Sequence, residues 1–303
     1  MRPWYAGQRP YVDVAARNFS EMVAQSSIRI RPGVAIDAAL MLLRELQWNC
    51  RVDAAPPGTS DPGAQQVTYV RWAQSTESRL RSFFDHSDVR GLFDDLRHRD
   101  ICSMAPGAQL PAMIHSSLDG WSRHFEQLAD GIDSTRALFE GAAVYLVPDT
   151  SFYIGHPEKF ETLDFHALVG RQAAIRVLIP MVVIDELDHL KDRGPSQHVR
   201  WRARHTVAVI DNAMSDPPVG ILHDATSSPP RGAVTLQVLF DPPGRVRLPI
   251  NDDEIIDRCV ASMPFADEIT LVTYDTGQST RARMAGLKVR KLTHDPGPEP
   301  NIK

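Results

Sequence analysis

The chain has 303 residues, of which 43% are hydrophobic, so it can bury a substantial core and its length favours two domains. Its formal net charge of −5 and its pI of about 6.1 exclude a protein that coats nucleic acid by bulk positive charge. Any polyanion must therefore bind at a local site.

The first 140 residues have the pattern of helices. Residues 34–48 (VAIDAALMLLRELQW) repeat apolar side chains at three- and four-residue spacing, which predicts a helix with one buried face. Residues 53–65 are rich in Pro, Gly, Ser and Asp and predict an exposed loop. Amphipathic patterns then continue to the end of this half. We expect an all-helical domain of unreadable role over residues 1–140, with Trp72 and Trp121 in its core.

After Gly141 the pattern changes to short runs rich in β-branched residues, separated by helical segments. The runs are AAVYLVPD, IRVLIP, AVTLQVLF, ITLVTYD and LKVRKL. Their alternation with helices predicts an α/β domain with a central parallel sheet over residues 141–292, followed by a flexible tail over 293–303. AVTLQVLF follows the turn-rich segment 215–232 and is expected to be an added or edge strand.

Acidic residues stand where predicted strands end and where helices begin. Asp149 in LVPDT and Asp275 in LVTYDTG each follow an apolar run, while Glu186 and Asp253 lie near the starts of later helices. Ligands of open parallel sheets collect at the carboxyl ends of the strands, so four carboxylates could face one crevice. Crowded carboxylates raise one another's pKa unless a cation neutralises them, and ligands made only of oxygen select Mg²⁺ or Mn²⁺. Taken singly, each acid more often caps a helix or terminates a strand.

The order of these acids and their flanking residues resembles the PIN domain (PilT N-terminus-like) family. The matching stretches are VPDTSFYI, IPMVVIDELDHLKDRG, NDDEIIDRC and LVTYDTGQSTRARMAG, and the resemblance runs over about residues 144–292. It implies a Rossmann-like sheet and a metal-dependent nuclease, usually an endoribonuclease, whose catalytic acids and metal ligands are Asp149, Glu186, Asp253 and Asp275. The resemblance is closer to the larger PIN proteins than to minimal toxins.

Two of these assignments have neighbouring alternatives. Asp252 can take the place of Asp253, although Asp253 has the D-x-x-I spacing of the family with Ile256. Asp185 and Asp188 flank Glu186, and a helix points Asp185 and Glu186 about 100° apart. We favour Asp253 and Glu186.

Polar residues beside the acids have two roles open to them. Thr150, Ser151, Asn251 and Asp252 either support the metal ligands by hydrogen bonds or cap the helices that follow. The histidines form no pair with a serine or cysteine that indicates a nucleophile and its base.

A local basic segment, KDRGPSQHVRWRARH over residues 191–205, is the best candidate for polyanion binding. The candidate RNA-binding residues are Lys191, Arg193, Arg200, Arg202, Arg204 and, in the last helix, Arg281. A solvated helix face explains these arginines equally well. Trp201 could stack on a base, but we expect it to be buried in the core.

The expected function is a Mg²⁺- or Mn²⁺-dependent endoribonuclease acting on single-stranded or unpaired RNA. The alternatives are a catalytically silent RNA-binding or scaffold PIN protein, and the toxin of a toxin–antitoxin pair. A homodimer and an antitoxin or regulatory protein stay open as partners. Three widely spaced cysteines, an N-terminus without signal-peptide order and the lack of an apolar run of membrane length favour a cytoplasmic protein without a membrane partner.

Overall fold

The computed structural model describes residues 28–54, 61–94, 96–142, 144–215, 219–224, 233–241 and 245–293. Three predictions fall on residues outside this described part. They concern the N-terminal segment that lacks signal-peptide order, residues 55–60 of the predicted loop and residues 294–303 of the predicted tail. The chain divides into two compact units between Leu138 and Phe139.

The first unit is helical, as the sequence predicts. Its helices are α1 (Ile36–Ala54), α2 (Pro62–Phe83), α3 (His86–Phe93), α4 (Leu96–Ser103) and α5 (Leu110–Leu138). Asp61 caps α2 by accepting a hydrogen bond of 2.7 Å from the backbone N–H of Ala64, and Pro62 occupies the first turn, where no N–H is needed. Helix therefore replaces both ends of the loop predicted over 53–65.

The core of this unit lies between α1 and α5, which pack along one another. Buried residues of α5 recur every three or four positions, as an amphipathic helix requires. Trp72 and Trp121 are both buried, and their rings meet edge to face with centroids 6.0 Å apart. The prediction that these two tryptophans belong to the core is confirmed.

The second unit is an α/β layer structure. Its strands are β1 (Val144–Pro148), β2 (Ile175–Pro180), β3 (Val219–His223), β4 (Val234–Leu239), β5 (Ile269–Thr273) and β6 (Lys288–Lys291). Its α-helices are α6 (Thr150–Gly155), α7 (Phe165–Val169), α8 (Met181–Arg193), α9 (Gln197–Ala213), α10 (Asn251–Ser262) and α11 (Thr276–Met284). Every residue of β1, β2 and β5 is buried, because helices cover both faces of a parallel sheet.

The strands form one sheet in the order β3-β4-β2-β1-β5-β6. All neighbouring pairs are parallel except β3 with β4. The prediction for AVTLQVLF as an edge strand is wrong, because β4 lies between β2 and an additional antiparallel strand, β3, within the segment predicted as turns. β3 has a bulge after Ile221 and is flanked by Pro- and Ser-rich sequence, so its pattern is too short to predict a strand.

The order of connection reverses between β1 and β5. The chain runs from β1 to β2 on one side and later returns to β5 on the other side of β1. This is the switch point at which open α/β sheets form a crevice beyond the carboxyl ends of the strands. Among the described helices, none has the length and apolar content needed to cross a bilayer.

Candidate active site

Asp149 is the first residue after β1 and caps the N-terminus of α6. It is 3% exposed and accepts hydrogen bonds from the Phe152 N–H (2.8 Å), the Ser151 hydroxyl (2.8 Å) and the Thr273 hydroxyl (2.6 Å). Burial raises the pKa of the Asp149 carboxyl above its ordinary value; these hydrogen bonds oppose the rise, and the charge of Asp252 adds to it. Asp149 is thus a fixed, buried carboxylate with another acid nearby.

Hydrogen bonds join the end of β1 to the end of β5. The Thr273 hydroxyl donates to Asp149 and accepts from the backbone N–H of Asp275 at 2.8 Å. The Ser151 hydroxyl likewise accepts from the Tyr274 N–H at 3.1 Å. Two hydroxyl groups therefore hold the two strand ends together at the switch point, and one of them, that of Ser151, also bonds the Asp149 carboxylate.

Glu186 lies on α8, the helix that begins directly after β2, and its side chain is half-buried. The Thr150 hydroxyl donates a hydrogen bond to its Oε2 atom, and the Asn251 side-chain amide donates to its Oε1 atom at 2.8 Å. Thr150 and Asn251 are the first residues of α6 and α10, so Glu186 connects α8 to the starts of two other helices. These contacts fit the supporting roles expected for Thr150 and Asn251.

The two acids beside Glu186 point to other partners. Asp185 forms an ion pair of 2.5 Å with Arg247, and Asp188 forms one of 2.8 Å with Lys191. Both acids are exposed. Glu186 is therefore the member of the three that contacts residues next to Asp149 and Asp252.

Asp252 and Asp253 share one counter-ion, Arg281, whose Nη2 and Nε atoms lie 2.8 Å from an oxygen of each. Burial raises the pKa of Asp252, and the charges of Asp275 and Glu186 raise it further against the opposing effect of Arg281. Asp252 is therefore coupled by charge to the other acids of the predicted set. The sequence favours Asp253 for this place, and the electrostatics of the described structure favour Asp252.

Asp275 is exposed and caps α11 by accepting a hydrogen bond of 2.6 Å from the Gln278 N–H. The neighbouring Gly277 has little room for a side chain. A Cβ atom placed there would lie 3.2 Å from Oδ1 of Asp275 and 3.3 Å from Nη1 of Arg281. A side chain at Gly277 would therefore crowd both the Asp275 carboxylate and the Arg281 guanidinium.

Replacing Gly277 by alanine tests this close approach. Alanine favours a helix over glycine by about 1 kcal/mol, so the Gly277→Ala variant should be at least as stable to thermal unfolding as the wild type. Its Mn²⁺ affinity should fall severalfold. Gly120→Ala in α5 is a matched control, since nothing lies within 4 Å of the added atom. Calorimetric titration with Mn²⁺ and thermal unfolding separate the two effects. Unchanged Mn²⁺ affinity in Gly277→Ala would contradict the expected crowding.

The acids are close enough to influence one another but do not form a ready-made metal cage. Within the described ranges, which include all of them, no three His, Cys, Asp or Glu side chains are placed to hold a metal ion. Each carboxylate is bound instead by protein donors, as the contacts of Asp149, Glu186 and Asp252 show. Their chemistry nonetheless suits a hard cation, because all the groups are carboxylates, and burial together with neighbouring negative charge raises the pKa of Asp149 and of Asp252.

The predicted basic segment divides into exposed and buried residues. Arg193 and Arg204 are exposed, Lys191 and Arg200 are half-buried, and Arg204 lies 4.0 Å from Asp192. Arg200 donates to the carbonyl of Gly194 at 2.7 Å. Only part of this segment is therefore available to a ligand.

Arg202 is a correction to the RNA-binding prediction. It is 5% exposed, and its guanidinium donates to the backbone carbonyls of Tyr153 (3.0 Å), His156 (2.8 Å) and Glu158 (2.8 Å). These carbonyls lie at and just beyond the end of α6. The last carbonyl groups of a helix have no N–H partner within the helix and need donors from elsewhere. Arg202 thus caps α6 from α9 and cannot reach RNA.

Trp201 is a second correction, since the sequence predicts its burial and the structure exposes 44% of it. Its ring is stacked on His205, with centroids 5.2 Å apart and planes 9° apart, and less closely on His198. The Nζ atom of Lys159 lies 5.6 Å from the centre of the indole ring. Tryptophan is usually covered by apolar side chains, but here its neighbours are polar rings.

The sequence alone did not single out Thr273, which is buried and bonded to both Asp149 and Asp275. A signal was present: a hydroxyl-bearing residue ends an otherwise apolar buried strand, two residues before an acid. Lys159 was also missed, because it precedes the basic segment by some 30 residues and meets it only in the fold.

The α/β unit therefore has a Rossmann-like fold, with carboxylates at the switch point of its sheet. In such sheets the ligand crevice lies at the carboxyl ends of the strands. Residues 146–293 match the family model of the PIN domain, so this part of the α/β unit is a PIN domain. PIN domains are in general nucleases and typically use divalent metal ions. No curated protein sequence matches the chain.

Proposed function

We propose that the protein is a Mg²⁺- or Mn²⁺-dependent endoribonuclease that hydrolyses phosphodiester bonds of single-stranded or unpaired RNA. The observation that carries the proposal is the set of hydrogen bonds at the switch point of a PIN-domain sheet, where Thr273 bonds both the Asp149 carboxylate and the Asp275 N–H, and Thr150 bonds Glu186. The charge of Asp252 adds to the raised pKa of Asp149 there. Such coupled carboxylates beyond strand ends serve cation binding better than fold stability, because their repulsion destabilises the folded state.

Asp149, Glu186, Asp252 and Asp275 are the residues proposed to hold the cation. When bound, Mg²⁺ or Mn²⁺ would acidify a water and neutralise charge on the phosphate. To bind it, the carboxylates must exchange some of their present donors, among them Arg281 and the Thr150 hydroxyl, for the cation.

The neighbouring residues would keep the acids in position and bind the phosphate. Thr273 and Ser151 fix the Asp149 carboxylate, and Thr150 with Asn251 fixes that of Glu186. Arg281 has a planar guanidinium at the edge of the same acids and is suited to a phosphate oxygen pair. Asp253 serves in this proposal as a second anchor for Arg281.

RNA would approach along the cations of α8 and α9, the helices that pack beside α6. Arg193 and Arg204 are exposed there, and Lys191 and Arg200 are half-buried. With a net charge of −5, the chain needs such a local basic region to bind a polyanion.

The test is cleavage of an end-labelled unstructured RNA by the purified protein with Mg²⁺, with Mn²⁺ and with a chelator. We expect internal cuts that require the metal and return when it is restored. Cleavage in the chelator would contradict the proposed metal dependence. Base-dependent RNA binding without any cleavage would instead favour a silent RNA-binding PIN protein.

Substituting the two adjacent aspartates separately tests which of them belongs to the cation site. Asp252→Asn should lower the cleavage rate by about 10- to 100-fold. Loss of a group that hydrogen-bonds a metal ligand has an effect of this size, and loss of a ligand should cost at least as much. Asp253→Asn removes only a partly exposed contact with Arg281 and should change the rate by less than about threefold. Initial rates at saturating Mn²⁺ measure both. A larger loss in Asp253→Asn would return the role to the residue that the sequence favours.

A further inference from the structure

Three aromatic rings on α9 form a stack on the surface of the α/β unit. His198, Trp201 and His205 are spaced by three and four residues and therefore share one face of the helix. The ring planes of Trp201 and His205 are nearly parallel, at 9° to one another. The His198 ring is tilted by 29° from the indole plane, and its centroid lies 6.4 Å from that of the indole. We call these three residues the α9 ladder.

The looser end of the α9 ladder has room for a planar ligand. Two rings that sandwich a third lie about 7 Å apart, twice the van der Waals separation of about 3.5 Å. The centroids of His198 and Trp201 lie 6.4 Å apart with the ring planes tilted by 29°, and both side chains are exposed. A rotation of His198 would therefore open the indole to a nucleobase, while Trp201 keeps its stack on His205.

The surroundings of the α9 ladder are cationic and polar. Lys159 lies over the indole, and Arg204 is one turn of the helix away, with 68% of its side chain exposed. Acids are present too: Asp192 lies 4.0 Å from Arg204, and Glu161 accepts from His205 at 2.8 Å. Trp201 is the only large apolar side chain of α9, a helix described throughout, that is strongly exposed. An exposed ring beside cations suits a base and its phosphate better than an apolar protein surface.

The α9 ladder is tied to the candidate active site through Arg202. This arginine follows Trp201 in α9 and binds three carbonyls at the end of α6, whose N-terminus is capped by Asp149. α6 has six residues and so spans roughly 9 Å. Lys159 comes just after the same carbonyls, so the ladder and Asp149 sit at opposite ends of one short helix.

We propose that the α9 ladder is a nucleobase-stacking subsite, in which one unpaired base of a single-stranded nucleic acid stacks on Trp201 and Lys159 or Arg204 binds its phosphate. The proposal rests on the proposed function for the identity of the ligand as a substrate. It adds a reason for preferring unpaired strands, since a base within a duplex has no free face to offer.

The experiment measures binding in chelator, so that cleavage plays no part. The probes are a fluorescein-labelled single-stranded RNA of mixed pyrimidines and an abasic sugar-phosphate strand of equal length. Trp201→Ala should weaken binding of the RNA by about 5- to 150-fold, the range found for loss of one base–aromatic stack, and leave the abasic strand unaffected. Trp201→Phe, which keeps a ring, should recover most of the affinity.

Trp48→Ala is the matched control, because Trp48 is 86% exposed but lies on α1 in the helical unit. It should bind both probes as the wild type does. RNA affinity unchanged in Trp201→Ala, or an equal loss for both probes, would overturn the subsite and leave the ladder to a protein partner. If the wild type binds bases through Trp201 but does not cut RNA with Mn²⁺, the nuclease proposal fails while the stacking subsite stands. Metal-dependent cutting with an unchanged KM in Trp201→Ala would overturn the subsite and support the nuclease.

Discussion

An Asp149→Asn variant is expected to lose at least about 100-fold of its metal-dependent RNA cleavage, since removing groups that only support metal ligands already costs 10- to 100-fold. Asparagine keeps the size of the side chain and an oxygen for the Phe152 N–H. Its amide group cannot accept from the hydroxyls of Thr273 and Ser151 as the second carboxylate oxygen does. The variant should therefore fold while binding a cation poorly. Initial cleavage rates and Mn²⁺ titrations measure both effects.

The control for Asp149→Asn is Asp188→Asn, which removes an exposed carboxylate whose ion-pair partner is Lys191. Its cleavage rate should stay within about twofold of the wild type, as expected for an exposed pair. Equal activity of Asp149→Asn and wild type, with the far-ultraviolet spectrum unchanged, would rule out the acid cluster as the hydrolytic centre.

An Arg202→Met variant is expected to lower the free energy of unfolding by about 3 kcal/mol or more, because charged hydrogen bonds contribute about 1.5–3 kcal/mol each. Methionine fills much of the arginine volume but leaves the carbonyls of Tyr153, His156 and Glu158 without this donor. Lysine should rescue the fold poorly, since an ammonium group is not a planar fork. Urea unfolding followed by circular dichroism at constant pH provides the measurement.

Arg204→Met is the companion substitution, two residues along the same helix. The Arg204 side chain is 68% exposed, so the loss should stay within about 0.5 kcal/mol. Its RNA affinity should nevertheless fall, because Arg204 lies beside the α9 ladder. A stability loss in Arg204→Met as large as that in Arg202→Met would contradict the assignment of Arg202 as the buried cap of α6.

The strands and the acids at their ends were readable from the sequence because burial and chain direction leave little freedom there. Runs such as IRVLIP and ITLVT fit only a strand covered on both faces, and residues after parallel strands must emerge at one edge. Asp149 and Asp275 follow from that rule alone. The α/β character of this half and the helical character of the other thus follow from patterns several residues long, whereas the PIN domain was identified by resemblance.

Side-chain direction on helices was less readable. Asp252 and Asp253 differ by about 100° around α10, so the choice between them depends on where the helix begins and on the position of Arg281. For a similar reason the sequence did not predict that Arg202 is buried and Trp201 exposed. A run of alternating arginines has no clear apolar face, and the three carbonyls that bury Arg202 come from residues more than 40 positions earlier.

The most direct measurement is a crystal structure of the wild-type protein soaked with Mn²⁺, with data collected at a wavelength where manganese scatters anomalously. We expect one or two anomalous peaks bonded to oxygens of Asp149, Asp252 and Asp275, with Glu186 bound directly or through water and Arg281 turned away from Asp252. A crystal saturated with Mn²⁺ that shows no peak among these carboxylates, and leaves Arg281 on Asp252, would contradict the nuclease proposal at its foundation.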